Sequence, residues 1–315
     1  MSAVDRWHGL LPIDKPAGMT SHDVVSEVRR IIGQRGVGHT GTLDPRATGL
    51  LILCLGRATK VAQFVSACSK SYTADIFLGR STSTYDAEGL DESLPLAHPP
   101  DMTSEEMAEL LQEYVGHIRQ QVPAYSAIKV QGRPLYEAAR RGEDIETPER
   151  DVVVNSLNMI SFEPPNLKIE LNCSKGTYVR SLAHDIGRKL GCGGYLAELR
   201  RTEVGGVTID RAIKLDDLQK TARESKLDTV ILSVEQMLNF ASLKVTDTFS
   251  RKVINGRPLR PVDLVEVVGD FSAGDHVVLK NTAGQILAIG TAGVDADAIG
   301  QTQGKALFNY VRVLN

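Results

Sequence analysis

The six residues from Leu50 to Leu55 are all apolar, and a glycine bounds them on each side. A run this short and hydrophobic, set between glycines, predicts a buried strand. It is the longest purely apolar run in the chain, and it falls far short of the roughly 18 residues that a membrane helix requires. We therefore expect no membrane-spanning segment. A chain of 315 residues can cover such a strand with a core that needs no disulfides or metals.

Three segments show the 3.6-residue apolar period of an amphipathic helix. They run from Val24 to Ile32, from Met107 to Tyr114 and from Val179 to Leu190. End signals support all three: Thr20 or Ser21 and Gly33 around the first, a Thr103–Glu106 capping box before the second, and Gly191 after the third. We expect three helices at these places.

Strand-like stretches lie between the helices, at residues 72–79, 152–154 and 167–173. A doubly wound fold requires strands and helices to alternate strictly, and these segments do not. The pattern favours a mixed α/β fold, built on the mixed sheet of the α+β type.

The pattern of apolar residues changes near residue 245, where long helical periods give way to short runs. Beyond it, short apolar runs at 264–268, 276–280, 286–289 and 306–313 are separated by turns that contain glycine. This spacing predicts a small β-rich domain over residues 245–315, after a larger domain over residues 1–244.

The charge is distributed unevenly along the chain. A net charge of −3 and a pI near 6.2 argue mildly against a nucleic-acid-binding protein. Residues 86–113, however, hold nine acidic residues and no Lys or Arg, which we interpret as a solvated face. Residues 25–60 and residues 168–201 each carry a net charge of +4. A sheet that contains both of these segments can present a positive cleft although the whole chain is acidic.

The four cysteines, Cys54, Cys68, Cys173 and Cys192, form no C-x-x-C pair. Their pattern favours neither a zinc site nor a disulfide framework, and it is typical of small buried side chains in a reducing compartment. The amino terminus has Asp5 where a signal peptide would be apolar. We therefore expect a cytoplasmic protein.

Residues 36–41 match the dinucleotide-binding fingerprint G-x-G-x-x-G letter for letter. That motif binds a pyrophosphate only where a strand precedes it and a helix follows it. Here a helical period precedes the glycines, and Asp44-Pro45 followed by the apolar run comes after them. We predict that this segment binds no nucleotide and that its glycines serve a turn or a close approach.

The loop from Gly38 to Gly49 combines glycines with Pro45, which favours an unusual, fixed backbone. Pro45 directs Asp44 towards an extended conformation, so the carboxylate has a defined place. From the loop alone, Asp44 is as readily an Asx-turn residue as a functional one.

The loop and four further blocks resemble the TruB-type tRNA pseudouridine synthases. The blocks, in chain order, are Asp14-Lys15-Pro16-x-Gly18-x-Thr20-Ser21, Gly38-His39-Thr40-Gly41-Thr42-Leu43-Asp44-Pro45-x-Ala47-Thr48-Gly49, Lys70-x-Tyr72, Tyr125-Ser126-Ala127-x-Lys129-x-x-Gly132, and Cys173-Ser174-Lys175-Gly176-Thr177-Tyr178-Val179-Arg180, followed by Leu199-Arg200-Arg201. They cover most of residues 9–202.

The resemblance implies an enzyme that isomerises uridine to pseudouridine at position 55, in the T-arm of tRNA, after flipping the base out of the stack. It implies no metal, nucleotide or organic cofactor. Nothing in the sequence calls for a dimer or a protein partner, so we expect a monomer. It also implies a pseudouridine synthase catalytic domain, a PUA-like RNA-binding domain at the carboxyl end, and an RNA-gripping insertion at about 120–150. Lys129, Arg133, Arg140 and Arg141 lie in that insertion.

The resemblance also assigns site residues. Asp44 matches the catalytic aspartate, a nucleophile, and Arg180 the arginine that pairs with it. Tyr72 matches the tyrosine that stacks on the target base, Tyr178 and Leu199 match residues that pack against it, and His39 matches a histidine that holds the flipped RNA. From the residues alone, Arg180 is as readily a snorkelling helix residue and Tyr72 a half-buried strand aromatic. Tyr178 and Leu199 are then ordinary core residues, and His39 is a surface or satisfied core histidine.

Two other functions use the same residues. The chain is alternatively an RNA-binding or RNA-folding module without chemistry, or a carboxylate-dependent hydrolase that releases free uracil. Asp44, Tyr72 and Arg180 together favour the isomerase, because binding alone does not require that trio.

Overall fold

A large mixed sheet and a smaller sheet organise the computed structural model, which describes residues 5–143, 146–301 and 306–314. The strands are β1 (Gly9–Lys15), β2 (Val37–His39), β3 (Thr48–Leu55), β4 (Lys70–Leu78), β5 (Gly116–Gln121), β6 (Lys129–Val130), β7 (Arg133–Pro134), β8 (Glu149–Glu163), β9 (Asn166–Cys173), β10 (Gly194–Val204), β11 (Val207–Thr208), β12 (Ala241–Val245), β13 (Leu264–Val268), β14 (His276–Lys280), β15 (Ile286–Ala292) and β16 (Phe308–Val313). The helices are α1 (Ser21–Ile32), α2 (Ala62–Ala67), α3 (Ser104–Gln112), α4 (Leu135–Ala139), α5 (Val179–Lys189), α6 (Leu215–Arg223) and α7 (Asp247–Val253).

The large sheet has the order β1-β3-β10-β4-β9-β8-β5, with β2 attached to β3 and β11 to β10. The predicted buried strand is confirmed as β3, where residues 50–55 are at most 1% exposed. It runs antiparallel to β1 but parallel to β10, and the parallel pairing comprises two residue pairs, Thr48 with Arg200 and Gly49 with Arg201. The residues that precede these pairs, Ala47 in the loop before β3 and Leu199 on β10, line a cavity instead. The sheet is therefore split at its middle.

Four helices cover one face of this sheet, the face on which Gly49, Arg201 and Tyr72 lie as partners across neighbouring strands. Helix α1 packs with α6 over β1 and β3, and helices α3 and α5 pack over β4, β8 and β9. The predicted caps are confirmed: Thr20 and Asp23 form a capping box before α1, which ends at Gly33 in the left-handed conformation. The Thr103–Glu106 box before α3 is present as well.

The smaller sheet, ordered β13-β12-β14-β15-β16, begins at Ala241. The predicted runs at 264–268 and 276–280 coincide with β13 and β14. The predicted run at 306–313 corresponds to β16, which starts at Phe308. The short helix α7 was not predicted, because seven residues give too little apolar period. The ring of His276 stacks on Phe240 at 5.5 Å and meets Phe64 of α2 edge-on at 5.2 Å, which joins the small sheet to the large one.

The mixed α/β class is confirmed, although strands β1, β2 and β5 and helices α2, α4 and α6 were not predicted, and two further strands differ from prediction. Strand β8 extends for 15 residues around the predicted 152–154. Strand β10 was not predicted as a strand, because charged residues at the sheet split and two register shifts interrupt its alternation. No helix in the described ranges is long and apolar enough to cross a membrane.

Candidate active site

The loop between β2 and β3 is fixed by side chains from β1 and α1. The buried Lys15 donates through Nζ to the carbonyls of Pro16, at 2.8 Å, and Pro45, at 3.1 Å. Ser21, at the start of α1, accepts from the amide of Leu43 at 2.8 Å and donates to its carbonyl at 3.1 Å. Both residues flanking Asp44 are therefore anchored, and the carboxylate has a defined position.

Gly49 closes the loop against β10. Its φ is +99°, and a Cβ there would lie 2.3 Å from the carbonyl oxygen of Arg201, so the position requires glycine. Arg201 is itself buried, and it donates to the carbonyls of Leu50, at 2.6 Å, and Gly41, at 3.1 Å. The expected close approach of the glycine-bearing loop is present here. No helix follows the fingerprint-like residues 36–41, because β3 follows the loop, so the geometry of a pyrophosphate site is missing from this described segment.

Arg180 holds two carboxylates together. Its Nε lies 3.1 Å from Oδ2 of Asp44, and its Nη1 lies 3.3 Å from Oδ2 of Asp86. The remaining hydrogen bonds go to the carbonyls of Thr84, at 3.2 Å, and Tyr125, at 3.1 Å. The Arg180 side chain is 8% exposed and that of Asp44 is 44% exposed. Arg180 thus lies behind Asp44, which faces the cleft.

Burial and neighbouring charges act on the pKa of Asp44 in opposite directions. Desolvation raises the pKa of Asp44, the charge of Arg180 opposes the rise, and the nearby Asp86 adds to it. Burial lowers the pKa of Lys15 to about 8. Burial also lowers the pKa of His39, whose Nδ1 is buried with no hydrogen bond to any described residue. His39 is therefore neutral at pH 7.

Asp86 corrects the interpretation of residues 86–113 as a solvated acidic face. Eight of the nine acidic side chains are exposed, but Asp86 is buried. Its Oδ1 accepts from the hydroxyl of Thr84 at 2.6 Å and from the amide of Glu88 at 2.9 Å. Composition does not reveal the burial of Asp86, because the acidic residues around it in the sequence are exposed and only Asp86 pairs with Arg180.

A cavity of about 710 Å³ lies in front of Asp44. All six site residues from the sequence line it: His39, Asp44, Tyr72, Tyr178, Arg180 and Leu199. Tyr72 comes from β4 and is 8% exposed, and burial raises the pKa of its hydroxyl. Tyr178 directly precedes α5, where its amide donates to Oε1 of Gln120 at 3.0 Å. The structure therefore brings together residues that are far apart in the sequence.

A second cavity, of about 530 Å³, lies on the other side of the same wall. Asp44, Asp86, Arg180 and Leu199 line both cavities. The first cavity is aromatic and basic, and it is also lined by Lys70, Tyr125, Tyr136, Arg140, Lys175 and Arg201. The segments 25–60 and 168–201 both line this cleft, but its positive charge comes from the second segment together with Lys70 and Arg140. None of the six basic residues of 25–60 lines it, so the expected contribution of that segment to the charge is wrong.

The segment expected to be an insertion folds as the β6–β7 hairpin followed by α4. Tyr136 and Arg140 of this segment line the aromatic cavity, and the guanidinium of Arg140 lies 5.5 Å above the ring of Tyr136. Asp144 and Ile145, which fall in the expected insertion, lie outside the described residues.

Sequence reasoning missed three residues of this site. Asp86 has no motif of its own, and Lys15 and Arg201 lie in quoted blocks without an assigned role. The signal that could have identified Lys15 and Arg201 is a charged residue inside a family motif, next to Pro16 in the first case and after Leu199-Arg200 in the second. Among the described residues, no group of three His, Cys, Asp or Glu is placed to hold a metal ion.

Three family models match the chain in order. Residues 29–179 match "TruB family pseudouridylate synthase (N terminal domain)", residues 180–239 match "tRNA pseudouridylate synthase B C-terminal domain", and residues 242–314 match "PUA domain". The class is thus a pseudouridylate synthase catalytic domain followed by a PUA domain, which confirms the predicted fold class.

Curated relatives agree over nearly the full length. The chain is 38% identical to tRNA pseudouridine synthase B of Syntrophotalea carbinolica over 89% of this chain and 90% of that one. It is 40% identical to tRNA pseudouridine synthase B of Caldanaerobacter subterraneus subsp. tengcongensis over 90% of this chain and 95% of that one. The chain belongs to the TruB family of pseudouridylate synthases.

Solved structures share the fold. A Cbf5-Nop10-Gar1 complex matches with a TM-score of 0.77 and 25% identity, covering 98% of this chain and 85% of that chain. An H/ACA RNP bound to a substrate RNA containing 2'-deoxyuridine matches with a TM-score of 0.76 and 24% identity, over 98% of this chain and 85% of that chain.

Proposed function

We propose that this protein isomerises uridine to pseudouridine at position 55 in the T-arm of tRNA, with Asp44 as the catalytic nucleophile. The observation that carries the proposal is the Asp44 carboxylate, held by Arg180 at 3.1 Å on the wall of an aromatic, basic cavity. The relatives named tRNA pseudouridine synthase B, at about 40% identity over most of both chains, supply the substrate class.

The reaction needs no oxidant or reductant, because the product is an isomer of the substrate. The bond from N1 of uracil to C1' of ribose breaks and a bond from C5 to C1' forms, while C5 loses a proton and N1 gains one. Asp44 attacks either the base or the sugar, and its negative charge requires the arginine behind it. No step of this scheme calls for a metal or an organic cofactor.

The aromatic cavity receives the flipped uracil. Tyr72 stacks on the base, while Tyr178 and Leu199 pack against it. The raised pKa keeps the Tyr72 hydroxyl protonated, so it accepts the C5 proton while its own proton passes to N1 of the same uracil, and the net change is the shift of one proton from C5 to N1. His39, neutral and at the rim of the loop, holds the displaced RNA rather than transferring a proton.

RNA contacts must offset the few kcal/mol that base flipping costs. Lys175 and Arg140 line the cavity and have no carboxylate within ion-pair distance among the described residues, so their charges face the RNA. The carboxyl-terminal domain adds a second RNA contact, as PUA domains do. We propose that the two units divide just before Ala241, a few residues ahead of the expected 245, because β12 belongs to the small sheet. We further propose a cytoplasmic monomer.

An unmodified tRNA transcript tests the proposal. We expect the purified protein to convert the uridine at position 55 to pseudouridine, mapped by chemical modification and primer extension, and to leave a transcript with cytidine at that position unchanged. Absence of pseudouridine would overturn the proposal. Free uracil in the reaction, detected by chromatography, would instead show the hydrolase.

A binding module without chemistry is the second candidate. The geometry favours the enzyme, because a buried arginine between two carboxylates serves ionisation of Asp44 and is not needed to grip RNA. Refolding of misfolded tRNA by an inactive Asp44 variant would show that both functions exist in one chain.

The pH dependence of the rate reports on Asp44. Because its pKa is raised, we expect the single-turnover rate to fall on acidification with a midpoint above the ordinary aspartate value of about 3.9. The sign follows from the mechanism, since the carboxylate is the active form and protonation removes it. Rates measured from pH 4 to pH 8, with tRNA binding measured in parallel, check this. A rate that stays flat down to about pH 4 would contradict it.

A further inference from the structure

Tyr85 has a left-handed backbone, with φ of +62°, which a residue other than glycine adopts at a cost. Its ring stacks on the imidazole of His184, with the centroids 3.9 Å apart and 14° between the planes. Tyr85 directly precedes Asp86, and His184 lies one helical turn after Arg180 on α5. The stack therefore joins the same loop and the same helix that the Asp86–Arg180 ion pair joins.

The loop that contains Tyr85 is held in other ways along its backbone. The amide of Leu196 donates to the carbonyl of Tyr85 at 3.0 Å, and the hydroxyl of Thr82 donates to the carbonyl of Asp86 at 2.8 Å. These bonds fasten the loop to β10 and to itself. Its distance from α5 is set by the contacts of Arg180 and by the stack.

The His184 ring is placed by its faces and not by a hydrogen bond at Nδ1. That atom is buried and has no hydrogen-bond partner among the described residues. Burial lowers the pKa of His184, against the opposing charge of Asp185 and together with that of Arg188. Burial also raises the pKa of the Tyr85 hydroxyl. Both rings are therefore neutral at pH 7, which suits flat stacking.

We propose that Tyr85 and His184 are positioning residues for the reaction: their stack holds the left-handed turn before Asp86 and so keeps Asp86 against Arg180. Neither side chain lines either cavity, so both act on Asp44 through Arg180. The inference rests on the proposed function, because its effect is on the rate of pseudouridine formation. Neither Tyr85 nor His184 belongs to the five sequence blocks that resemble the family.

Substitutions at Tyr85 separate the stack from the strain. Tyr85→Phe keeps the ring, Tyr85→Ala loses the ring but keeps the strained φ, and Tyr85→Gly loses both the ring and the strain. We expect single-turnover rates close to wild type for Phe, reduced about tenfold for Ala, and intermediate for Gly, although Gly is the larger truncation. His184→Ala should match Tyr85→Ala, and His184→Phe should restore the rate by rebuilding an aromatic pair.

The pH profile distinguishes positioning from a general loss of structure. Asp44 faces Arg180, Asp86 and Lys15, and the charge of Asp86 raises its pKa. When Asp86 leaves in Tyr85→Ala, Arg180 turns fully to Asp44, so the acid limb of the rate should move to lower pH. Partial unfolding would instead reduce the rate by one factor at every pH, and would lower the affinity for tRNA as well.

The outcomes are separable. The positioning role of the Tyr85–His184 stack is supported if the acid limb shifts in Tyr85→Ala and His184→Ala and returns in the Phe variants. The affinity for tRNA should stay unchanged in all four. Full activity of Tyr85→Ala, or a Phe variant as slow as the Ala variant, overturns this role while leaving the proposed function intact. A wild-type protein that forms no pseudouridine overturns the proposed function itself.

Discussion

Replacing Asp44 with asparagine is expected to lower the single-turnover rate of pseudouridine formation by at least about 10⁴-fold, while tRNA affinity stays within about threefold of wild type. The amide keeps the shape of the side chain, and its oxygen still accepts from Nε of Arg180, which lies 3.1 Å away in the native protein. A neutral amide is not a nucleophile, so the loss falls on the chemical step alone. Radiolabel release from C5 of uridine and filter binding measure the two quantities.

The folded state should tolerate this change. Desolvation raises the pKa of Asp44, which means that the ionised carboxylate is held in the cleft at a cost to stability. We therefore expect the free energy of unfolding of Asp44→Asn to equal or exceed that of wild type. Glu92→Gln makes the same change of charge at an exposed residue outside both cavities and should leave the rate within twofold of wild type. Activity of Asp44→Asn comparable with this control would refute the assignment of Asp44.

Replacing Arg180 with methionine should abolish activity and also destabilise the protein by about 3–5 kcal/mol. The substitution leaves Asp86 buried without its cation and leaves the carbonyls of Thr84 and Tyr125 without their donor. The pKa of Asp44 would rise further once the opposing positive charge is gone. Urea unfolding and single-turnover rates measure both losses.

A second substitution separates the stability effect from the catalytic one. Asp86→Asn removes the unpaired negative charge, so in the Arg180→Met background it should recover part of the lost stability but none of the activity. Arg188→Met is the matched control on the same helix, because Arg188 is 72% exposed and pairs with Asp185 at the surface. That control should change stability by less than about 1 kcal/mol. A similar loss of stability in Arg180→Met and Arg188→Met would contradict the role of Arg180 as the cation that stabilises the buried Asp86.

Much of the fold was predictable because it follows from residues that are neighbours along the chain. The buried strand at 50–55, the capping boxes before α1 and α3, and the change of texture before the small sheet are local patterns. Strand β10 was not predictable in this way. Its charged residues face the split in the sheet, so its environment depends on strands that are distant in sequence.

The site shows the same division. Motifs place Asp44, Tyr72 and Arg180 in the family pattern, and the loop glycines predict a close approach that Gly49 makes. Composition assigns Asp86 to a solvated acidic stretch, yet the residue is buried against Arg180. The error has a physical cause, because burial depends on what packs against a side chain and not on the charges beside it in the chain.

The sequence by itself determined the class of fold and the order of the two domains, a larger mixed one followed by a small β-rich one. It also determined which residues match a family of RNA-modifying enzymes. The tertiary structure decided how those residues act on one another. Asp44 lies in the loop before β3, Asp86 in the segment after β4 and Arg180 on α5, and only the folded chain brings Arg180 between the two carboxylates. Such an ion cluster exists only where the chain has folded, because its charges come from separate segments and are stable only when each one satisfies the others.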